Sequence, residues 1–202
     1  MTSREKILNK LRAAAQPFPD APPRPRQYQP VVRVDDTSPE GLLARFQAET
    51  ERLMGNCFAV KGDAGVRRCV VDLLRSHQTT HIIAWDFKHI PAKGLEKAIK
   101  DEGIRITHPE MHDEFRAETV ESIRDAQVGL TGVDAAVAAT GTLIVSTAPG
   151  RGRIPTILAP VHIVVMTLDQ LVPRLEDWVT SQRESGLETI RSSANVCFIS
   201  GP

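Results

Sequence analysis

The chain has 202 residues and a mass of 22.2 kDa, with 41% hydrophobic and 25% charged residues, a profile that suits one compact α/β-sized domain. Its 25 Lys and Arg balance 25 Asp and Glu, so no field over the whole surface draws in nucleic acid or an anionic membrane. The longest nearly apolar run, Ile154 to Leu168, carries two prolines and a histidine and is shorter than the roughly 20 residues a membrane-spanning helix needs.

The first residues, Met1-Thr2-Ser3-Arg4-Glu5-Lys6, lead straight into an amphipathic pattern without an apolar signal core, which predicts a cytoplasmic protein. Thr2 and Glu5 have capping-box spacing, and Ile7, Leu8 and Leu11 recur at helical intervals, so a short helix is expected from Thr2 to about Ala15. Six prolines between Pro17 and Pro30 then predict an extended tether. Residues 1–30 thus read as an arm, whose apolar stripe is expected to dock on the rest of the chain or to join a homo-oligomer. Residues 31–202 read as one α/β domain.

Within that domain, Ser38-Pro39-Glu40 is a helix start, an N-cap serine followed by an N1 proline, and Gly55 is the matching stop. Short β-rich runs follow at Cys57–Val60, His81–Trp85, Ile104–Thr107, Gln127–Leu130, Leu143–Ser146, Val161–Met166 and Val196–Ser200. Helical patterns at Ala64–His77, Pro91–Glu102, Asp113–Asp125 and Leu168–Arg183 separate them. The rhythm predicts a Rossmann-like, mostly parallel sheet with helices on both faces. From Gln127 to Pro149 the rhythm changes to β-like segments without a normal helix, and a hairpin is expected at Thr140-Gly141.

Ligands of open α/β sheets gather at the carboxyl ends of the strands. This directs attention to the loops Lys61–Gly65, Trp85–Ile90, Thr131–Asp134, Thr140–Thr142, Ala148–Pro155 and Thr167–Gln170. No P-loop, G-x-S-x-G elbow or H-E-x-x-H pair occurs, and Gly150-Arg151-Gly152-Arg153-Ile154-Pro155 has proline where a dinucleotide fingerprint needs its third glycine. His77/His81 and His108/His112 have H-x3-H spacing, but each pair straddles an element boundary, and no metal site is expected. Cys57, Cys69 and Cys197 are too far apart to form a CxxC zinc site and too few for a four-cysteine iron–sulfur cluster.

The block Gly129 to Val145 concentrates small residues and threonines beside apolar strands. Such a block either lets a ligand approach the backbone or packs a tight turn. Arg151 and Arg153, on a Gly/Pro loop, can close over an anion through planar guanidinium donors or remain solvated. His162 opens an apolar strand and reads as a hydrogen-bonded structural histidine rather than a base.

Thr131-Gly132-Val133-Asp134-Ala135-Ala136, Ala139-Thr140-Gly141-Thr142, Gly152-Arg153, Ala159-Pro160-Val161-His162-Ile163 and Leu171-Val172-Pro173, in this order and spacing, resemble the LUD-domain family of lactate utilization protein C. The opening Arg4-Glu5-Lys6-Ile7-Leu8, the proline-rich tether and the closing Phe198-Ile199-Ser200-Gly201-Pro202 fit as well. The resemblance implies a fold similar to the NagB/RpiA/CoA-transferase group. It also implies a role in bacterial L-lactate oxidation to pyruvate beside two iron–sulfur proteins, which would carry the clusters this chain has no ligands for.

Two departures stand out. Family members commonly have Glu-Thr-Gly-Thr where this chain has Ala139-Thr140-Gly141-Thr142, which removes the natural glutamyl nucleophile of a CoA-transferase mechanism. Relatives also continue past Ser-Gly-Pro with a further strand, so the domain is expected to be incomplete at Pro202.

The leading reading is a cytoplasmic component of an L-lactate-oxidising system that binds a small anionic ligand and is not active alone. Thr131, Gly132, Asp134, Thr140, Gly141, Thr142, Gly152 and Arg153 are the expected ligand-binding residues, with no catalytic residue assigned. Arg153 would pair with the anion, Gly141 and Thr142 would donate hydrogen bonds, and Asp134 would orient a polar group or the loop. The alternatives are a non-catalytic assembly or regulatory protein, and a transferase or isomerase acting on a CoA thioester or sugar phosphate.

Overall fold

The computed structural model describes residues 2–14, 32–109 and 116–200. The chain divides into two compact units between residues 31 and 32. The first contributes helix α1 (Ser3–Ala14), capped as its sequence predicts: the Thr2 N–H donates to Glu5 Oε2 at 2.6 Å and the Glu5 N–H donates to Thr2 Oγ1 at 3.3 Å. Ile7 and Leu11 are exposed on it. The proline-rich tether lies outside the described residues.

The second unit is mixed α/β with a mostly parallel arrangement of strands, in agreement with the alternation of the sequence. Its first sheet contains β1 (His81–Ala84), β2 (Arg105–Thr107), β3 (Val128–Thr131) and β6 (Val161–Val164), in the order β2-β1-β3-β6 with every pair parallel. Helices α3 (Gly62–Ser76) and α4 (Leu95–Asp101) cover one face. There Val70, Leu74, Leu95 and Ile99 bury Ile82, Ala84, Val128 and Leu130, which alternate along β1 and β3 as one face of a sheet must.

The opposite face holds Ile83 against Ile123 of α5 (Arg116–Ile123) and against Ile154 of α6 (Ile154–Ile157). On that face α6 rests directly on β3 at Gly129, where an added Cβ would stand 1.7 Å from the Pro155 carbonyl oxygen. Glycine is therefore obligatory there for packing, not for backbone freedom.

The segment after Gln127 forms a second sheet. Strands β4 (Ala135–Val137) and β5 (Thr142–Ser146) make the expected hairpin around Gly141, whose φ of +64° needs glycine. Strand β7 (Leu171–Val172) adds in parallel to β4, and β8 (Val196–Ile199) adds antiparallel to β5. Ala136 and Ala138 pack under Leu42 and Phe46 of α2 (Pro39–Arg52), while Ala135, Val137 and Ala139 pack under Trp178 of α7 (Leu175–Glu184). The small residues of this block thus make room for helices. A last short helix, α8 (Glu188–Ser192), precedes β8.

Two local expectations are corrected. Cys57–Val60 is not a strand: it pairs with no strand among the described residues, and Phe58 and Val60 are exposed. Leu168–Arg183 is not one helix. Thr167 and Gln170 form a capping box, but it starts only a 3-10 turn, β4 then captures Leu171 and Val172, and α7 begins after Pro173.

Candidate functional site

The loops at 85–90, 108–109 and 132–134 follow the carboxyl ends of β1, β2 and β3, and the loop at 147–153, which follows β5, is bonded to the first of them; together they form the candidate lip. Trp85, directly after β1, is 2% exposed, and its Nε1–H donates to the Gly152 carbonyl at 2.7 Å. The Arg151 guanidinium lies 5.5 Å from the indole centroid. Its Nη1 donates to Asp134 Oδ1 at 2.9 Å and its Nη2 to Ser146 Oγ at 2.8 Å. Asp134 also accepts the Ser146 backbone N–H. Arg151 therefore ties the loop to the open end of the β4–β5 hairpin.

Ala148 to Arg151 is a tight turn in which the Arg151 N–H donates to the Ala148 carbonyl at 2.8 Å. Pro149 and Gly150, with Gly150 at φ +76°, occupy the positions that a type II turn reserves for proline and glycine. Gly150 also admits the Asp86 side chain, whose carboxylate oxygen would lie 2.4 Å from an added Cβ. The Asp86 carboxyl is held below its ordinary range, chiefly by a hydrogen bond from Lys88 at 2.9 Å, and the imidazoles of His108 and His89 lie nearby.

Two imidazoles complete the lip. His89 Nε2 approaches the Pro149 carbonyl at 3.3 Å, and His108 Nδ1 approaches the Ala84 carbonyl at 3.0 Å. Since a carbonyl only accepts, these ring nitrogens carry the protons. The Phe87 ring meets His108 edge-on, with centroids 5.9 Å apart. Among the described residues, no group of three His, Cys, Asp or Glu side chains is arranged to hold a metal ion.

The eight residues expected from the sequence fall into two places. Gly132, Asp134, Gly152 and Arg153 lie on the loops at the carboxyl edge of the first sheet. Gly132 is pressed against the His89 backbone, Asp134 is committed to Arg151, and Arg153 is exposed beside Gly152. Thr131, at the end of β3, is fully buried, with its hydroxyl 2.8 Å from His162 Nε2. Burial pushes the His162 imidazole down to about 4, which keeps it neutral and suits the structural role expected of it.

Thr140, Gly141 and Thr142 lie at the closed end of the hairpin, four residues along β5 from Ser146 or about 13 Å at strand rise. There Gly141 abuts Thr50 and Leu53 at the end of α2. The Thr142 hydroxyl sits 2.7 Å from that of Thr140 and 2.9 Å from that of Ser200. The structure does not bring this turn to the crevice. It also separates the two arginines that looked equivalent in sequence, since Arg151 is turned inward and Arg153 outward.

His108 was missed as a site residue. Its signal was its position immediately after a strand, at the sheet edge where ligands collect. His112, its partner in the H-x3-H spacing, lies outside the described residues, while His77 caps α3 away from this edge.

A third polar cluster occupies the opposite edge. His81 is 1% exposed, with Nδ1 2.9 Å from Asp125 Oδ1 and Nε2 2.9 Å from the Thr107 hydroxyl. Arg105 pairs with the same carboxylate, which is held low chiefly by the His81 hydrogen bond.

A family model for the LUD domain matches residues 43–202. Three curated proteins called lactate utilization protein C are similar. The one from Halalkalibacterium halodurans is 24% identical over 68% of this chain and 58% of its own length. That from a Geobacillus species is 23% identical over 82% and 69%. That from an Exiguobacterium species is 26% identical over 100% and 86%. The chain thus spans a little over half of the Halalkalibacterium protein. A crystal structure of a DUF162 family protein from Deinococcus radiodurans shares the fold with a TM-score of 0.61, at 19% identity over 82% of this chain and 90% of that one.

Proposed function

Because the chain belongs to the LUD-domain family, we propose that it is a lactate-utilization component, supporting oxidation of L-lactate to pyruvate beside two iron–sulfur proteins and binding a small anion in the crevice. The names of its relatives support the lactate role. The observation that carries the anion site is the division of labour between its two arginines. Arg151 is bound to Asp134, Ser146 and Trp85 and fixes the loop, which leaves Arg153 exposed at its end as the cation available to a ligand. Iron–sulfur clusters, in this reading, belong to the partners, and the isolated chain does not turn over lactate.

A thermal-shift panel of lactate, pyruvate, inorganic phosphate, nucleotides and CoA, repeated on Arg153→Ala and Arg153→Lys, tests the site. Arg153→Ala is expected to weaken binding by about 1.5–3 kcal/mol, roughly ten- to a hundredfold. Lysine keeps the charge without the planar fork and should rescue only part of it. Unchanged shifts in Arg153→Ala would sink the assignment. A shift with CoA or a nucleotide alone would favour the transferase or isomerase reading. No shift with any member of the panel would favour an assembly or regulatory role.

A further inference from the structure

We propose that α1 is an interfacial helix that lies on an anionic phospholipid surface, its apolar stripe turned into the lipid and its lysines and arginines at the head groups. The proposal goes beyond the anion-site reading and uses none of its residues. Three observations lead to it.

The first is charge. The overall balance of the chain conceals an asymmetry: residues 1–31, the first unit, hold six Lys and Arg against two Asp and Glu, whereas residues 32–202 hold 19 against 23. An anionic surface therefore attracts the first unit and not the second. Within α1 the cations are Arg4, Lys6, Lys10 and Arg12. Its single acid, Glu5, is engaged by the Thr2 N–H at 2.6 Å.

The second observation is how these residues are distributed around the helix. At about 100° per residue, Ile7, Leu8 and Leu11 occupy one sector about 100° wide, with Lys10 about 60° beyond one edge and Arg12 about 40° beyond the other. Arg4 falls in line with the stripe, but at the amino end of the helix. Lysine and arginine stems cover apolar surface while their charges stay in water, so cations on both flanks of a narrow stripe suit a helix half-sunk in the boundary between water and lipid.

The third is that the stripe is on offer. No residue of α1 is buried, and Ile7 and Leu11 are 59% and 62% exposed. The capping box closes the first turn from within the helix, with Thr2 and Glu5 each bonded to the other's N–H. A helix of this length is nevertheless marginal in water, and burial of its apolar face supplies the stability it lacks.

The full chain is sedimented with vesicles of POPC alone and of POPC and POPG at about three to one, in about 50 mM NaCl. It should bind the anionic vesicles at least about tenfold more tightly, and about 0.5 M NaCl should remove most of that preference. The double variant Ile7→Gln/Leu11→Gln keeps the charge and the helix propensity and should weaken binding to the anionic vesicles about tenfold. Lys10→Gln and Arg12→Gln should each weaken it about fivefold.

Binding that survives Ile7→Gln/Leu11→Gln unchanged would show attraction through charge alone and would overturn the interfacial placement. Equal binding to both kinds of vesicle, or to neither, would overturn the proposal outright. If the double variant lowers the melting temperature, or the mass in solution, the stripe is buried against this chain or a second copy of it, and a lipid surface is not its partner.

Discussion

The amino and carboxyl edges of the parallel sheet each carry a histidine at a strand end, and the two are opposites. At the amino edge His81 is sealed between β1 and β2, with Asp125 on one ring nitrogen and the Thr107 hydroxyl on the other. At the carboxyl edge His108 is tethered through one nitrogen, its ring is exposed, and the second nitrogen has no hydrogen-bond partner among the described residues. The same side chain thus ties strands together where both ring nitrogens are used, and at the other edge is held through one nitrogen with its ring exposed. Burial and hydrogen bonding change together between them: His81 is 1% exposed with both nitrogens engaged, and His108 is exposed with one.

The contrast is sharpest in stability. His81→Ala removes a buried ring and its hydrogen bonds to Thr107 and Asp125, and should cost about 3–4 kcal/mol in urea denaturation. A loss under 1 kcal/mol would erase the difference between the edges.

Next comes the acid limb of the stability curve, set by His162. Its folded form binds a proton only near pH 4, whereas an unfolded histidine does so near 6.5. Between these values the unfolded chain holds more protons, so stability is full above about pH 6.5 and falls by on the order of 3 kcal/mol as the pH drops to 4. His162→Gln should flatten that limb, measured as melting temperature against pH.

Arg151→Ala leaves Asp134 without its cation and should cost about 2 kcal/mol. It should also change the emission of Trp85, whereas Arg151→Lys should preserve part of the stability. The smallest effects belong to the open lip, where His108→Gln and Arg153→Ala should each leave stability within about 0.5 kcal/mol of wild type. Substitutions costly to folding at this lip would show that its side chains are structural after all.

Features decided by neighbours in sequence were legible in the chain. The Ser38 side chain accepts the Gly41 N–H at 3.1 Å to start α2. Gly141 turns the hairpin with positive φ. The alternation of helical and β-rich runs was enough to give the fold class. Features decided at a distance were not legible. Phe58 and Val60 have the composition of a strand, but strand formation needs a partner that no local pattern can promise. Leu171 and Val172 fit a helix until β4 draws them into a sheet.

The candidate site divides in the same way. Arg151 and Arg153 are equivalent on a loop read locally, and only Asp134, 17 residues before Arg151, determines which of them turns inward. Threonine and glycine clustering suggested one site, but the hairpin carries Thr140–Thr142 to the end opposite Asp134 and Ser146. His108 is identified by the Ala84 carbonyl, 24 residues earlier, which no spacing rule would have named.

The Ala148–Arg151 turn bears on the thermodynamics of association. A flexible loop that must settle around a ligand loses conformational entropy on binding, and that loss subtracts directly from affinity. Here Pro149 restricts the chain before any ligand arrives, Gly150 accommodates Asp86 without strain, and Arg151 fastens the turn to Asp134 and Ser146. The ordering is done during folding. A small anion of the kind proposed, which has few atoms with which to offset such a loss, would meet a loop already in place.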